Sequence, residues 1–101
     1  MKRIALTDGS GKWFNLDKAE KFDEATEWNG NNNISKATKS QWEHESLYRT
    51  ASGKWIKNSW SQMQGSLENY QEITDEEATK WLVINEHDSP IVEQQIKDLE
   101  L

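Results

Sequence analysis

A chain of 101 residues with a formal net charge of −6, 34% hydrophobic residues and no cysteine has the size of one domain. The absence of cysteine excludes a disulfide framework, a thiolate metal site and a cysteine nucleophile, and no apolar run reaches the length of a membrane span. Six tryptophans offset the thin aliphatic content, since each buried aromatic ring removes about 150–250 Å² from water; disorder throughout is excluded on the same ground.

The opening, Met1 to Gly9, turns polar too soon for a secretory leader. Asn33-Ile34-Ser35 fits a glycosylation acceptor, and without a leader it reads as chance. The expected location is therefore cytoplasmic. Charge is uneven along the chain. Residues 1–61 carry ten Lys/Arg and eight Asp/Glu, a net of +2, whereas residues 62–101 carry two and ten, a net of −8. Such asymmetry points to an acidic interaction surface or to a solvated helical face.

In chain order, Ile4 and Leu6 alternate with polar neighbours as in a strand. Asp8-Gly9-Ser10-Gly11 signals a turn, and Trp13-Phe14-Asn15-Leu16 is rich in strand formers, giving a first hairpin. Asp17 and Glu20 stand in capping-box spacing and predict a short helix over 18–23. Residues 23–28 lean to strand, and the Asn/Gly run over 29–33 to a loop.

The segments 41–50 and 54–61 predict a second hairpin. A three-residue loop, Ala51-Ser52-Gly53 with a left-handed Gly53, pairs Thr50 with Lys54. This register gathers Trp42, His44, Tyr48, Ile56 and Trp60 on one face. It leaves Glu43, Glu45, Leu47, Arg49, Trp55 and Lys57 on the other. The tetrapeptide Ser-Gly-Lys-Trp occurs twice, at 10–13 and 52–55. A phosphate loop needs Ser or Thr after its Lys and a helix beyond. Here Trp follows and a strand begins, so the repeat reads as two glycine turns entering aromatic strands.

Residues 68–73 predict a third strand of a meander. Thr74 and Glu77 form a capping box, Ile73 and Ala78 a hydrophobic staple. Ala78, Trp81, Leu82 and Asn85 recur at helical spacing, predicting a helix over about 75–86. Ser89-Pro90 opens a second helix with Ile91, Val92, Ile96 and Leu99 on one stripe, so the two make a helical hairpin. The fold class is α+β: an antiparallel sheet of four to five strands covered by a short helix and a C-terminal helical hairpin.

His44 lies between Glu43 and Glu45, but strand neighbours point to opposite faces, so neither carboxylate can join it. A core role beside Trp42 and Trp60 fits it better than a metal or acid–base role, and His87 is expected to titrate in solvent. No nucleophile elbow, zinc helix, calcium loop or dinucleotide fingerprint is present, and no cofactor, metal or catalytic residue is expected.

Two features stand out. The acidic third offers Glu68, Glu72, Asp75, Glu76, Glu86 and Glu93 as a partner-binding row. Trp55, between Arg49 and Lys57, is either packed under the first hairpin or a stacking platform of the kind used for single-stranded nucleic acid. Trp28 with Asn31 offers an aromatic and an amide, as a sugar site does.

The stretches Trp60-Ser61-Gln62-Met63-Gln64-Gly65-Ser66 and Glu77-Ala78-Thr79-Lys80-Trp81-Leu82, with the aromatic hairpin before them, resemble a set of short uncharacterised bacterial proteins. These share a W-S-Q-x-x-G-S turn and a closing E-A-x-x-W-L helix. The likeness covers about half the chain. It implies a prokaryotic, plasmid- or phage-borne origin and brings no catalytic residues. Met63 stands where an aromatic is expected, against an exposed aromatic platform at that turn.

Together these features predict a small acidic interaction or inhibitor protein, of the antitoxin, immunity or nucleic-acid-mimic kind, binding a basic protein surface without membrane involvement. The alternatives are a nucleic-acid-binding module and a carbohydrate-binding module.

Overall fold

Period-two alternation in three successive segments builds the centre of the molecule. The computed structural model describes residues 2–62, 65 and 67–87. Its strands are β1 (Arg3–Ala5), β2 (Trp13–Asn15), β3 (Glu20–Asp23), β4 (Thr26–Trp28), β5 (Asn33–Ser35), β6 (Glu43–Arg49), β7 (Trp55–Ser61) and β8 (Asn69–Ile73), followed by helix α1 (Asp75–Ile84). Strands β3, β6, β7 and β8 form one antiparallel sheet in that order, flanked by two hairpins, β1–β2 and β4–β5.

The β6–β7 register runs from Glu43 opposite Ser61 to Arg49 opposite Trp55. It closes through Thr50 N–H donating to Lys54 O at 2.8 Å and Gly53 N–H donating to Thr50 O at 2.9 Å. Gly53 has φ +85°, a conformation that only glycine adopts without strain, so the three-residue loop and its pairing are as the alternation predicts.

The sheet is covered on both faces, which the alternation of single strands does not reveal. Phe22, Leu47, Trp55 and Ile73, one from each strand, pack on one face against Ala78, Trp81 and Leu82 of α1. On the other face Tyr48 and Ile56 pack against Leu6 and Phe14, with Ile4, Leu16, Ala19 and Tyr70 around them. The sheet is thus held between α1 and the N-terminal hairpin.

Residues 18–23 do not form a helix. The chain makes a single 3₁₀ turn at Leu16–Lys18, with Asn15 Oδ1 accepting from Asp17 N–H, and then enters β3. Phe22 decides this: it is buried between exposed Lys21 and Asp23 and sits opposite Leu47, a two-residue period that a helix cannot supply.

Helix α1 begins with the full capping box, Thr74 Oγ1 accepting from Glu77 N–H and Glu77 accepting from Thr74 N–H. It ends two residues before the expected 86. Glu86 takes φ +60°, its N–H donates to Val83 O, and His87 N–H donates to Leu82 O at 2.9 Å. This is the six-to-one and five-to-two pairing of a Schellman stop, with glutamate where glycine is usual. His87 stacks on Trp81 at 5.9 Å and meets Phe22 edge-on at 5.3 Å, so it is a packing residue at the helix end rather than a solvent group. The expected second helix from Ser89 and the helical hairpin lie outside the described residues.

Candidate functional site

Among the described residues, the carboxylates of the C-terminal third do not form one row. Glu72 stands opposite Ile56, on the N-terminal hairpin side of the sheet, and pairs with Lys12 at 3.1 Å. Asp75 and Glu76 are exposed in the first turn of α1, where carboxylates also offset the helix dipole. Glu86 pairs with Lys36 at 3.0 Å at the other end of the helix. Glu68 is exposed just before β8; with burial as the larger cause, its charge helps push the Tyr70 hydroxyl up to about 12. Glu93 lies outside the described residues. The helix face remains the most coherent acidic surface. From 67 to 87 there are six carboxylates and one lysine. The outward stripe of α1 runs Glu76, Lys80, Val83, Ile84 at helical spacing. Val83 and Ile84 are 52% and 51% exposed.

Trp55 is no platform. It is 1% exposed, tilted against Phe22 at 5.8 Å, beneath α1 rather than beneath the first hairpin. Arg49, half-buried, does lie over its ring, the guanidinium carbon 5.6 Å from the centroid. Lys57 turns instead to Glu45 at 3.8 Å. Burial of Trp55 therefore leaves half-buried Arg49 and Lys57 without a ring between them to stack bases on. Trp42, expected in the apolar face, is exposed outside β6.

Trp28 is 65% exposed on β4. Asn29 Oδ1 accepts from the N–H groups of Asn31 and Asn32 at 2.9 and 2.8 Å, which shapes the β4–β5 turn. Trp28 and Asn31 therefore share one hairpin tip.

A network absent from the sequence reading centres on Glu24, in the link between β3 and β4. Its Oε2 meets His44 Nδ1 at 2.7 Å and its Oε1 accepts from Glu45 N–H at 2.6 Å. Glu45 in turn accepts from Trp81 Nε1–H at 3.0 Å, while His44 stacks on Trp60 at 5.7 Å. Glu24 is 20 residues from His44 in sequence, and only the β3–β6 pairing brings them together. At the end of α1, buried Asn85 accepts from Ala25 N–H at 2.9 Å and donates to Trp81 O at 2.8 Å. The network ties β3, β6 and α1 into one unit.

The two Ser-Gly-Lys-Trp turns meet at a groove of about 550 Å³, lined by Lys12 and Trp13 on one side and Thr50, Ser52 and Lys54 on the other, over Leu6, Phe14 and Ile56. Gly11, at φ +76°, precedes Lys12 as Gly53 precedes Lys54. Trp13, unlike Trp55, is 53% exposed, with the Arg3 guanidinium carbon 5.2 Å from its centroid. Nearby, hydrogen bonds from Ser10 hold the Asp8 carboxyl below its ordinary range. Among the described residues no three His, Asp or Glu side chains are grouped to hold a metal ion, and no helix is long and apolar enough to cross a membrane. No protein-family model, curated protein or solved structure matches this chain.

Proposed function

We propose that this is a small acidic interaction protein that binds a basic partner surface through the outer face of α1. The observation that supports this reading most is the stripe on which exposed Val83 and Ile84 continue from Glu76 and Lys80, next to Asp75. Two half-exposed aliphatic side chains give a partner apolar area to bury, and flanking carboxylates select cations at the rim and accelerate encounter. Glu72 and Glu86 contribute less, because Lys12 and Lys36 already neutralise them. Inhibition of that partner, as by an antitoxin, immunity protein or nucleic-acid mimic, is the class of activity such a surface serves, on a cytoplasmic, plasmid- or phage-borne protein.

The experiment is affinity capture from a bacterial extract with the wild-type chain, repeated with Asp75→Lys/Glu76→Lys and with Val83→Asp. None of these side chains belongs to the capping box or the core; because the reversals also remove carboxylates that offset the helix dipole, circular dichroism of each variant checks that the fold is retained. The proposal expects a captured basic protein whose retention falls as salt rises and is lost in both variants. Capture indifferent to salt and to both changes would contradict it.

A further inference from the structure

We infer that the free edge of β2 is a second docking site, one that takes an extended, acidic segment of a protein partner as an added strand. It lies on the opposite side of the sheet from α1 and stands independently of the acidic face.

The direction of the β1–β2 hydrogen bonds carries the argument. Leu6 N–H donates to Lys12 O at 3.0 Å, and Leu16 N–H donates to Lys2 O at 2.9 Å. With Ile4 opposite Phe14, these fix the residues that exchange bonds as 2 with 16, 4 with 14 and 6 with 12. Antiparallel ladders alternate, so the backbone groups of Trp13 and Asn15 point away from β1. The Asn15 carbonyl opens the 3₁₀ turn, as the carbonyl of a capping residue does. That leaves Trp13 N–H, Trp13 C=O and Asn15 N–H directed outward, the set that an incoming strand pairs with.

The groove provides the rest. Residues 11 to 15 form one wall without a break, as a strand presenting its edge does. The floor of Leu6, Phe14 and Ile56 offers apolar contact for every second side chain of an added strand. Lys12 and Lys54 stand at the rim against a single carboxylate, Glu72, which Lys12 already holds. In a chain of net charge −6, this locally cationic groove selects an acidic segment. By the same alternation Arg3 and Ala5 direct backbone groups outward from β1, but no residue of β1 lines the groove, and the edge of β8 on this side is closed by the chain itself. There Thr7 N–H donates to Tyr70 O at 2.7 Å, Tyr70 N–H donates to Thr7 Oγ1 at 2.9 Å, and Glu72 N–H reaches Asp8 Oδ2 at 3.4 Å.

The test is amide hydrogen exchange by NMR on the full chain with a synthetic peptide, acetyl-Val-Glu-Val-Glu-Val-Glu-amide. At saturation the Trp13 and Asn15 amides should exchange at least about tenfold more slowly, because they gain partners. The Phe14 amide, already bonded to β1, should not change. The fully N-methylated peptide keeps the side chains and carbonyls, but it cannot donate to Trp13 C=O and its methyl groups hold the two backbones apart, so it should give far less protection. A valine–lysine peptide of the same length should bind at least about fivefold more weakly at low salt, where screening is least, and Lys54→Glu should narrow that difference. Peptide binding that leaves Trp13 unprotected, or no peptide binding, overturns the proposal. So does occupation of the groove by a thymidine hexanucleotide in preference to the acidic peptide.

Discussion

Replacing Trp55 with alanine tests the two-sided sheet at its most buried point. The ring is 1% exposed and packs among Phe22, Leu47, Ile73, Ala78, Trp81 and Leu82, with Arg49 over its face. A buried tryptophan removes about 150–250 Å² from water, which at about 25 cal/mol per Å² is worth about 4–6 kcal/mol. The buried Nε1–H has no acceptor among the described residues, and an unsatisfied donor of that kind costs about 1–3 kcal/mol. The difference is about 1–5 kcal/mol, and the cavity left behind adds to it, so the expectation is a loss of about 3–5 kcal/mol, the usual range for deleting a core aromatic. Against the total of about 5–15 kcal/mol for a domain, the variant is marginal. Urea denaturation followed by far-ultraviolet circular dichroism measures this directly. Trp55→Phe, which keeps a ring and removes the orphan donor, should lose clearly less than alanine and provides the comparison if the alanine variant does not fold. An alanine variant within about 1 kcal/mol of wild type would refute the burial argument and restore Trp55 as a surface residue.

Gly53→Val should destabilise by about 1–3 kcal/mol through backbone strain. The nearest atom to an added Cβ is Arg49 Nη2 at 3.8 Å, so steric overlap is not the cause, and an unchanged melting temperature would exclude the left-handed loop. Thr74→Ala should cost about 0.5–2 kcal/mol by removing one arm of the capping box, read as a lower urea midpoint. For Tyr70, the phenol is raised from 10.0 to about 12 in the fold, so folding favours the protonated form. Its contribution is full below about pH 10 and disappears as pH rises toward 12. The wild type should thus lose more stability than Tyr70→Phe across that interval, and equal losses would contradict the assignment.

The sequence made legible whatever depended on neighbours in the chain. The β6–β7 register follows from alternation and one glycine, and the start of α1 from Thr74 and Glu77. What it hid was assembled across strands. Phe22, Leu47, Trp55 and Ile73 come one from each strand, so no single strand displays them as an apolar face, and Leu47 and Trp55 look like exceptions on a polar one. The same reason conceals Glu24 from His44, and turns Lys12 and Lys54 from two separate motifs into one groove. Local signals also misled where they were incidental: Asp17 and Glu20 have capping-box spacing, but burial of Phe22 demands a strand. The end of α1 was illegible because Glu86 occupies the left-handed position that glycine normally marks.

The central claim is that the outer face of α1 meets a basic partner. Methyl NMR of the chain labelled at valine and isoleucine, titrated with the captured partner, tests it most directly. The account predicts that the Val83 and Ile84 methyl signals shift or broaden first, and that the effect weakens with added salt while buried Ile56 and Ile73 stay unmoved. Perturbation confined to the N-terminal hairpin or the β4–β5 tip, with Val83 and Ile84 unchanged at saturation, would contradict it.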